Sequence, residues 1–188
     1  MKKMDIRTKF TQKALKDSLI ECMKATPIRD IPIKAICAGA EVSRSTFYNY
    51  YNDQYDLLRE IEEQTFIETD KIIQPYIKIA PKSRNRAVIN LLHDILQYIA
   101  DNSNSIQVLL SENGNSAFQK KYFRNGIEVV RKITEGISIK AQEERAARYG
   151  FVFVVAGMLA LVQEWLKNGM DTPVPELART ITRLMREI

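Results

Sequence analysis

Apolar residues recur along this chain at intervals of three and four, the period of a helix rather than a strand. Leu15, Leu19, Cys22 and Met23 share one face of a segment from about Thr8 to Lys24, with Lys9, Lys13 and Lys16 on the outside. Ala25 to Ile31 is a connection marked by Pro27 and Asp30. Pro32 suits the first turn of a second helix, where its missing N–H is no loss, and Ile33, Ile36 and Cys37 then line one side. Gly39 to Val42 ends that helix, and Ser43 is placed to cap a third. This third helix, about two turns long by the pattern, turns Arg44, Ser45, Thr46, Tyr48 and Asn49 outward and Phe47 inward.

Asp53 is the expected cap of a longer helix with Leu57, Leu58, Ile61, Phe66 and Ile73 in register, ending near Pro75 to Pro81. It should link two domains, 1–52 and 53–188, the first extending into the start of this helix. Val88, Leu91, Leu92, Ile95, Leu96 and Ile99 predict a helix over Ser83 to Ala100, broken by Asp101 to Asn104. A short helix at Ile106 to Leu110 precedes Ser111 to Ser116, the strongest breaker in the chain. Ala117 to Ile139 follows as a helix carrying Phe118, Tyr122, Phe123, Ile127, Val130 and Ile133, with Gly126 and Gly136 weakening its continuity. The last two helices, Ala141 to Asn168 and Pro175 to Ile188, are joined through Gly169, which reads as the C′ residue. Phe151 to Leu161 is apolar nearly all round and is laced with Gly150, Ala156, Gly157 and Ala160. That pattern predicts burial on two sides, one against the chain's own core and one against a second copy in a two-fold four-helix interface. With 7 Gly and 6 Pro there is little room for sheet turns, so the fold class is all-α: an N-terminal helix-turn-helix domain followed by a larger helical domain for effector binding and dimerisation.

Charge sharpens this division. The chain of 188 residues has 28 Lys and Arg against 23 Asp and Glu, a formal net charge of +5. Residues 1–52 hold 10 of those cations and 5 of the anions, which leaves 18 of each for the remainder. The whole excess therefore lies on the segment with the two short helices, where phosphate binding through counterion release would use it. Cys22 and Cys37 fall on apolar helix faces without metal-ligand spacing and read as buried free thiols in a reducing cytoplasm. The charged start Met1-Lys2-Lys3-Met4-Asp5 is unlike a signal peptide, and the longest apolar run, Tyr149 to Val162, is shorter than a bilayer span, so no membrane partner is expected.

The side chains available for chemistry favour recognition over catalysis. A single histidine, His93, and two dispersed cysteines supply no metal cluster or histidine-based triad, and no glycine-rich phosphate loop is present. Glu62-Glu63 and Glu143-Glu144 read as solvated helix faces. No enzyme activity, cofactor or metal is expected. The third helix instead offers an arginine, hydroxyls and tyrosines of the kind that reach base edges, thymine methyls and phosphates in the major groove. In the second domain Phe66, Tyr76, Tyr98, Phe118, Tyr122, Phe123, Phe151 and Trp165 can either be core or line an apolar pocket, with Tyr98, Tyr122 and Trp165 carrying polar atoms that would orient a small-molecule effector.

These residues resemble the tetracycline-repressor (TetR) family of bacterial transcription regulators. The likeness rests on Leu15, Leu19 and Met23, on Ile33, Ile36 and Cys37, on the run Ala40 to Tyr51 through turn and recognition helix, and on Asp53, Tyr55, Asp56, Leu57 and Leu58. Leu109 to Gly114 and Glu164 to Met170 resemble a ligand-domain subgroup that includes regulators of dihydroxyacetone kinase operons. The resemblance implies a homodimer that sets its helix-turn-helix domains in successive major grooves of a palindromic operator, acts as a repressor, and answers to a small molecule. It assigns DNA contact to Lys34, Ser43, Arg44, Ser45, Thr46, Tyr48, Asn49, Tyr50 and Gln54, with Tyr51 a core candidate; the aromatic pattern of the second domain makes Phe66, Tyr98, Tyr122, Phe123, Phe151 and Trp165 the effector-contact candidates.

Two positions depart from the family pattern. Glu41 stands in the turn where glycine is common, which requires either a left-handed non-glycine residue or a different bend. Gln54 replaces a lysine that commonly reaches phosphate, so any contact there is made without a charge. The rival reading is a helical protein-interaction module, or a regulator without a ligand, on the same fold.

Overall fold

The computed structural model of the chain describes residues 6–78, 84–134 and 141–186. Their elements in order are α1 (Ile6–Met23), a 3₁₀ turn (Ile28–Asp30), α2 (Ile33–Gly39), α3 (Arg44–Tyr48), α4 (Gln54–Ile77), α5 (Arg84–Asp101), α6 (Ser103–Leu109), α7 (Ser116–Thr134), α8 (Ala141–Lys167) and α9 (Val174–Arg186). No strand occurs among the described residues. The chain divides into two compact units, 1–65 with 108–118, and 66–107 with 119–188.

The first unit is built on α1. Leu15, Leu19 and Met23 of this helix are wholly buried with Ile36, Phe47, Leu57 and Leu109. Close packing of α2 depends on Gly39, where an added Cβ would lie 2.4 Å from Ser18 Oγ. That hydroxyl is occupied too, donating to the Ile36 carbonyl at 2.8 Å. A polar hydrogen bond and a missing side chain thus bring two apolar helices together, and Cys37 is sealed there with its thiol pKa pushed up by burial. Cys22 is half-buried rather than fully enclosed and is likewise a free thiol.

The chain leaves α2 through the left-handed residue anticipated at the turn. Glu41 has φ 54°. Its N–H donates to the Ala38 carbonyl at 3.2 Å, and the Val42 N–H donates to the Cys37 carbonyl at 3.0 Å, the paired bonds of a Schellman ending. The backbone keeps the conformation that a glycine would adopt, at a steric cost of about 1–2 kcal/mol. The end of α8 is similar: Gly169, at φ 72°, is the C′ residue, and Met170 donates to the Trp165 carbonyl at 2.8 Å.

The expected break at Asn52 does not coincide with an edge of the first unit. That unit runs on through the first half of α4 to Thr65 and also takes in residues 108–118. Asn113 explains part of this. Its side-chain amide donates to the Met23 carbonyl at 3.0 Å and toward the Lys24 carbonyl at 3.5 Å, satisfying groups that α1 leaves open at its end. Asn115 donates to a Glu62 carboxylate oxygen at 3.4 Å, and Glu62 is buried rather than solvated as its sequence context suggested. Glu143 and Glu144 fall where side chains are not described.

In the second unit α5 packs along α9, burying Leu92, Leu96, Ile99, Leu177 and Ile181. The break after α5 narrows to Asn102, whose N–H and side-chain amide both donate to the Tyr98 carbonyl, so α6 starts at once at Ser103. Helix α7 continues through Gly126 because the glycine meets Val155 of α8, 3.0 Å from where a Cβ would stand; Gly136 lies outside the described residues. The apolar helix α8 buries Val155, Val162, Trp165 and Leu166. It leaves Tyr149, Val152, Phe153, Ala156, Gly157 and Ala160 exposed, so within one chain only one of its two apolar sides is covered.

Replacing the strained turn residue tests this description. Glu41→Gly should raise the unfolding free energy of the full chain by about 1 kcal/mol, the left-handed cost less the entropy of the added glycine. Urea unfolding of both proteins measures the difference, and a loss of stability would mean that the glutamate side chain contributes more than its backbone costs.

Candidate nucleic-acid interface

Helix α3 is short because its ends are closely fixed. Ser43 Oγ accepts from the Thr46 N–H at 3.1 Å, the N-cap expected from sequence. The helix proper covers Arg44–Tyr48, fewer than the two turns anticipated, since the Tyr50 and Tyr51 N–H groups both turn back to the Phe47 carbonyl. Asn49 retains right-handed helical angles, so the outward face is prolonged by one residue beyond the helix. Phe47 is wholly buried, with Tyr48 edge-on at 5.6 Å and Tyr51 at 5.8 Å between ring centroids. One aromatic in the core therefore sets the rotation of the whole helix.

That rotation leaves Ser43, Arg44, Ser45, Tyr48 and Asn49 exposed, with Tyr48 at 57%. Thr46 and Tyr50 are half-buried, and Lys34 is exposed on neighbouring α2. The three hydroxyls are tied together: Ser43 Oγ lies 2.8 Å from Ser45 Oγ and 2.9 Å from Thr46 Oγ1. They form a small preorganised polar cluster at the start of α3. Tyr51 is core, 4% exposed, and burial beside the Glu60 carboxylate drives its phenol well above the usual pKa.

The start of α4 borders this surface. Asp53 Oδ1 accepts from the Asp56 N–H at 2.7 Å, as its capping role predicts, while Asp56 Oδ2 accepts from the Asn52 N–H at 3.1 Å. Gln54 is the first helical residue and is half-buried. Two carboxylates thus occupy the end where an uncharged Gln54 stands, and they reduce its attraction for a phosphate.

The residues suggested for an effector are not all together. Phe66 and Tyr122 pack with ring centroids 5.6 Å apart, and Tyr122 is hydrogen-bonded to Thr69 with Tyr98 nearby. Burial foremost, and then Tyr98, pushes the Tyr122 pKa up to about 12. Phe123 and Phe151 are half-buried on α7 and α8. Trp165 is elsewhere, at the corner joining α8 and α9, where its indole N–H donates to the Thr172 carbonyl at 2.8 Å. Its polar atom is committed to the fold. The sequence reading had no means of finding Asn113, Asn115 and Glu62, because their bonds join positions 53 to 90 residues apart.

The family model described as transcriptional regulator C-terminal region matches residues 88–187. The chain is 38% identical over 68 residues to the HTH-type dhaKLM operon transcriptional activator DhaS of Lactococcus lactis subsp. lactis (strain IL1403), an alignment covering 36% of this chain and 34% of that protein. Thus only about a third of the curated relative's length is matched. Among solved structures, a TetR-like transcriptional regulator from Rhodococcus sp. RHA1 superposes with a TM-score of 0.74 at 16% identity, over 93% of each chain. FadR from Bacillus subtilis, in complex with stearoyl-CoA, does so with a TM-score of 0.65 at 15% identity, over 92% of this chain and 96% of that one. With the C-terminal family model spanning more than half its length, and with a helix-turn-helix on an all-helical frame, this chain belongs to the TetR family of DNA-binding transcription regulators.

Proposed function

We propose that the protein binds a palindromic operator as a homodimer, inserting α3 of each copy into the major groove, and that a small molecule held in the second unit adjusts this binding. The observation that carries the DNA reading is the pairing of a buried Phe47 with exposed Arg44, Ser45, Tyr48 and Asn49 on one short helix. Arg44 and Tyr48 are the base-edge and methyl readers, Ser45, Thr46 and Asn49 supply further polar contacts, and Lys34, Ser43 and Tyr50 flank them at the backbone. Gln54 contributes at most a neutral hydrogen bond. The DNA-binding part is residues 1–52 continued into α4, with residues 108–118 in the same unit, and the effector-binding and dimerisation part is the remainder of 53–188.

Dimerisation is supported by the open side of α8. Ala146–Lys167 is long and apolar enough to cross a bilayer by length and composition, yet only 22% of its most apolar window is buried. Tyr149 and Phe153 are 64% and 60% exposed. An added Cβ at Gly150 or Gly157 would meet nothing within 4 Å. A second copy of the same helix would cover this row without a membrane and would bring two α3 helices into one assembly, as an operator of two half-sites requires. A cytoplasmic location follows from an operator as the partner.

Effector binding is supported by the Phe66, Tyr98, Tyr122 and Thr69 group, which joins half-buried aromatic surface to hydroxyls. Whether occupancy represses or activates depends on where the operator lies relative to a promoter. The similar Lactococcus protein is by name an activator.

Footprinting on the DNA upstream of the gene should reveal a protected palindrome. Arg44→Ala and Tyr48→Ala should each weaken binding there by roughly tenfold to a hundredfold without changing the oligomeric state, and binding of the parent should fall steeply with salt. Unchanged affinity in both variants would sink the placement of α3, and salt-independent association would favour a protein partner instead.

Gly157→Leu should convert the dimer to monomer in sedimentation velocity while leaving the helical content intact, because a Cβ added there meets nothing of its own chain within 4 Å. A stable dimer in that variant would move the interface away from α8.

For Tyr122, folding stability should be whole below the unfolded phenol's pKa, near 10, and should decline as the pH rises through the folded value of about 12. Tyr122→Phe should make the alkaline decline shallower in denaturant titrations. A decline of equal steepness would assign the effect to other groups, among them Tyr76, whose donation to Asp94 also raises its pKa to about 12.

A further inference from the structure

The second unit has a cleft on its surface that shares Phe66 with the Phe66–Tyr122 ring pair. Its volume is about 680 Å³, and it is lined by Phe66, Ile67, Asp70 and Lys71 of α4 with Lys121, Arg124 and Asn125 of α7. On each helix these positions recur at the three- and four-residue spacing that puts side chains on one face. Ile67 is 55% exposed, an apolar side chain held at the edge of a charged site.

The cations of this cleft differ in how far their charge is already answered. Lys71 Nζ lies 3.1 Å from Glu68 Oε1. Asp70 Oδ1 accepts from the Gln74 amide at 2.9 Å. Lys121 Nζ stands 4.4 Å from the centroid of the Phe66 ring, a cation–π contact that positions the ammonium without neutralising it. Arg124 is exposed, and neither it nor Lys121 has a carboxylate partner within ion-pair distance among the described residues. One turn of α7 therefore presents two unanswered positive charges next to an apolar floor. The lining has three cations against Asp70, and one of the three, Lys71, is already paired with Glu68.

We propose that this α4–α7 cleft binds a small organic phosphate, with Arg124 and Lys121 taking the phosphate oxygens and with Phe66 and Ile67 taking the apolar part of the molecule. With Lys71 set against Glu68, the donors left facing the cleft are those of Arg124, Lys121 and Asn125, which match the three terminal oxygens of a phosphate rather than the two of a carboxylate. Arginine supplies a planar fork for two phosphate oxygens and lysine a point charge, and both act more strongly beside an apolar wall than in open water. Asn125, at the same edge, adds an amide that can donate to a third oxygen. The site concerns α4 and α7 alone, so it stands whether or not the protein is tuned by a ligand at its operator.

Isothermal titration of the full chain with phenyl phosphate tests the site, with phenol and inorganic phosphate as separated halves of the probe. Phenyl phosphate should bind with one site per chain and more tightly than inorganic phosphate, and phenol should give no measurable heat. Arg124→Gln and Lys121→Gln should each weaken phenyl phosphate by about tenfold, the loss of one charge-assisted contact, and Ile67→Ser should weaken it while leaving inorganic phosphate unchanged. Circular dichroism of these surface variants confirms that they are folded. No binding at millimolar probe, or binding that survives both charge substitutions, overturns the proposal; so does an acidic peptide that binds where phenyl phosphate does not. Operator affinity is measured on the same variants, and its retention alongside lost phosphate binding separates this site from the DNA-binding surface.

Discussion

The close approach of α2 to α1 is the constraint on which the placement of α3 depends. At Gly39 there is no room for even a methyl group beside Ser18, and the serine hydroxyl is held by the Ile36 carbonyl. With α2 fixed at this distance, the Schellman ending at Glu41 fixes where the chain emerges, and Ser43 fixes where α3 begins. Phe47 then needs only to fill the core for Arg44 and Tyr48 to be turned outward. Position on the surface is thus decided by atoms that never reach it.

Much of this was legible in the sequence because its causes are local. Ser43 as cap, Phe47 as anchor, Asp53 as the start of α4 and Gly169 as a C′ residue all depend on neighbours within five positions, and each has the predicted geometry. The Glu41 question had two physical answers, and backbone hydrogen bonding selected the left-handed one despite its cost. Helix lengths were less legible. The outward pattern of α3 continues to Asn49, but hydrogen bonds to the Phe47 carbonyl end the helix earlier, and side-chain spacing does not register this.

What sequence periodicity missed has a common cause in distance along the chain. Glu62 sits in a charged run and looks solvated, yet Asn115 meets it from 53 positions away. Trp165 has the composition of a ligand contact, but its N–H is taken by the Thr172 carbonyl in the corner that follows. The two apolar sides of α8, one of them left open by the chain itself, were anticipated because they are a property of one helix; which residues stand uncovered, Tyr149 and Phe153 among them, is decided by packing with the rest of the fold.

Residues 108–118 carry a consequence for how the chain comes into being. They complete the first unit with Leu109 in its core and Asn113 at the end of α1, but ribosomes reach them only after some forty residues of the second unit have been made. Helices α1 to α3 emerge early and must wait for this insert before their core is closed. A chimera that exchanges effector domains at the middle of α4 alone would import a foreign insert into that core. Domain exchange within this fold therefore has two further seams, at 107/108 and 118/119, and the partner sequence must match at both.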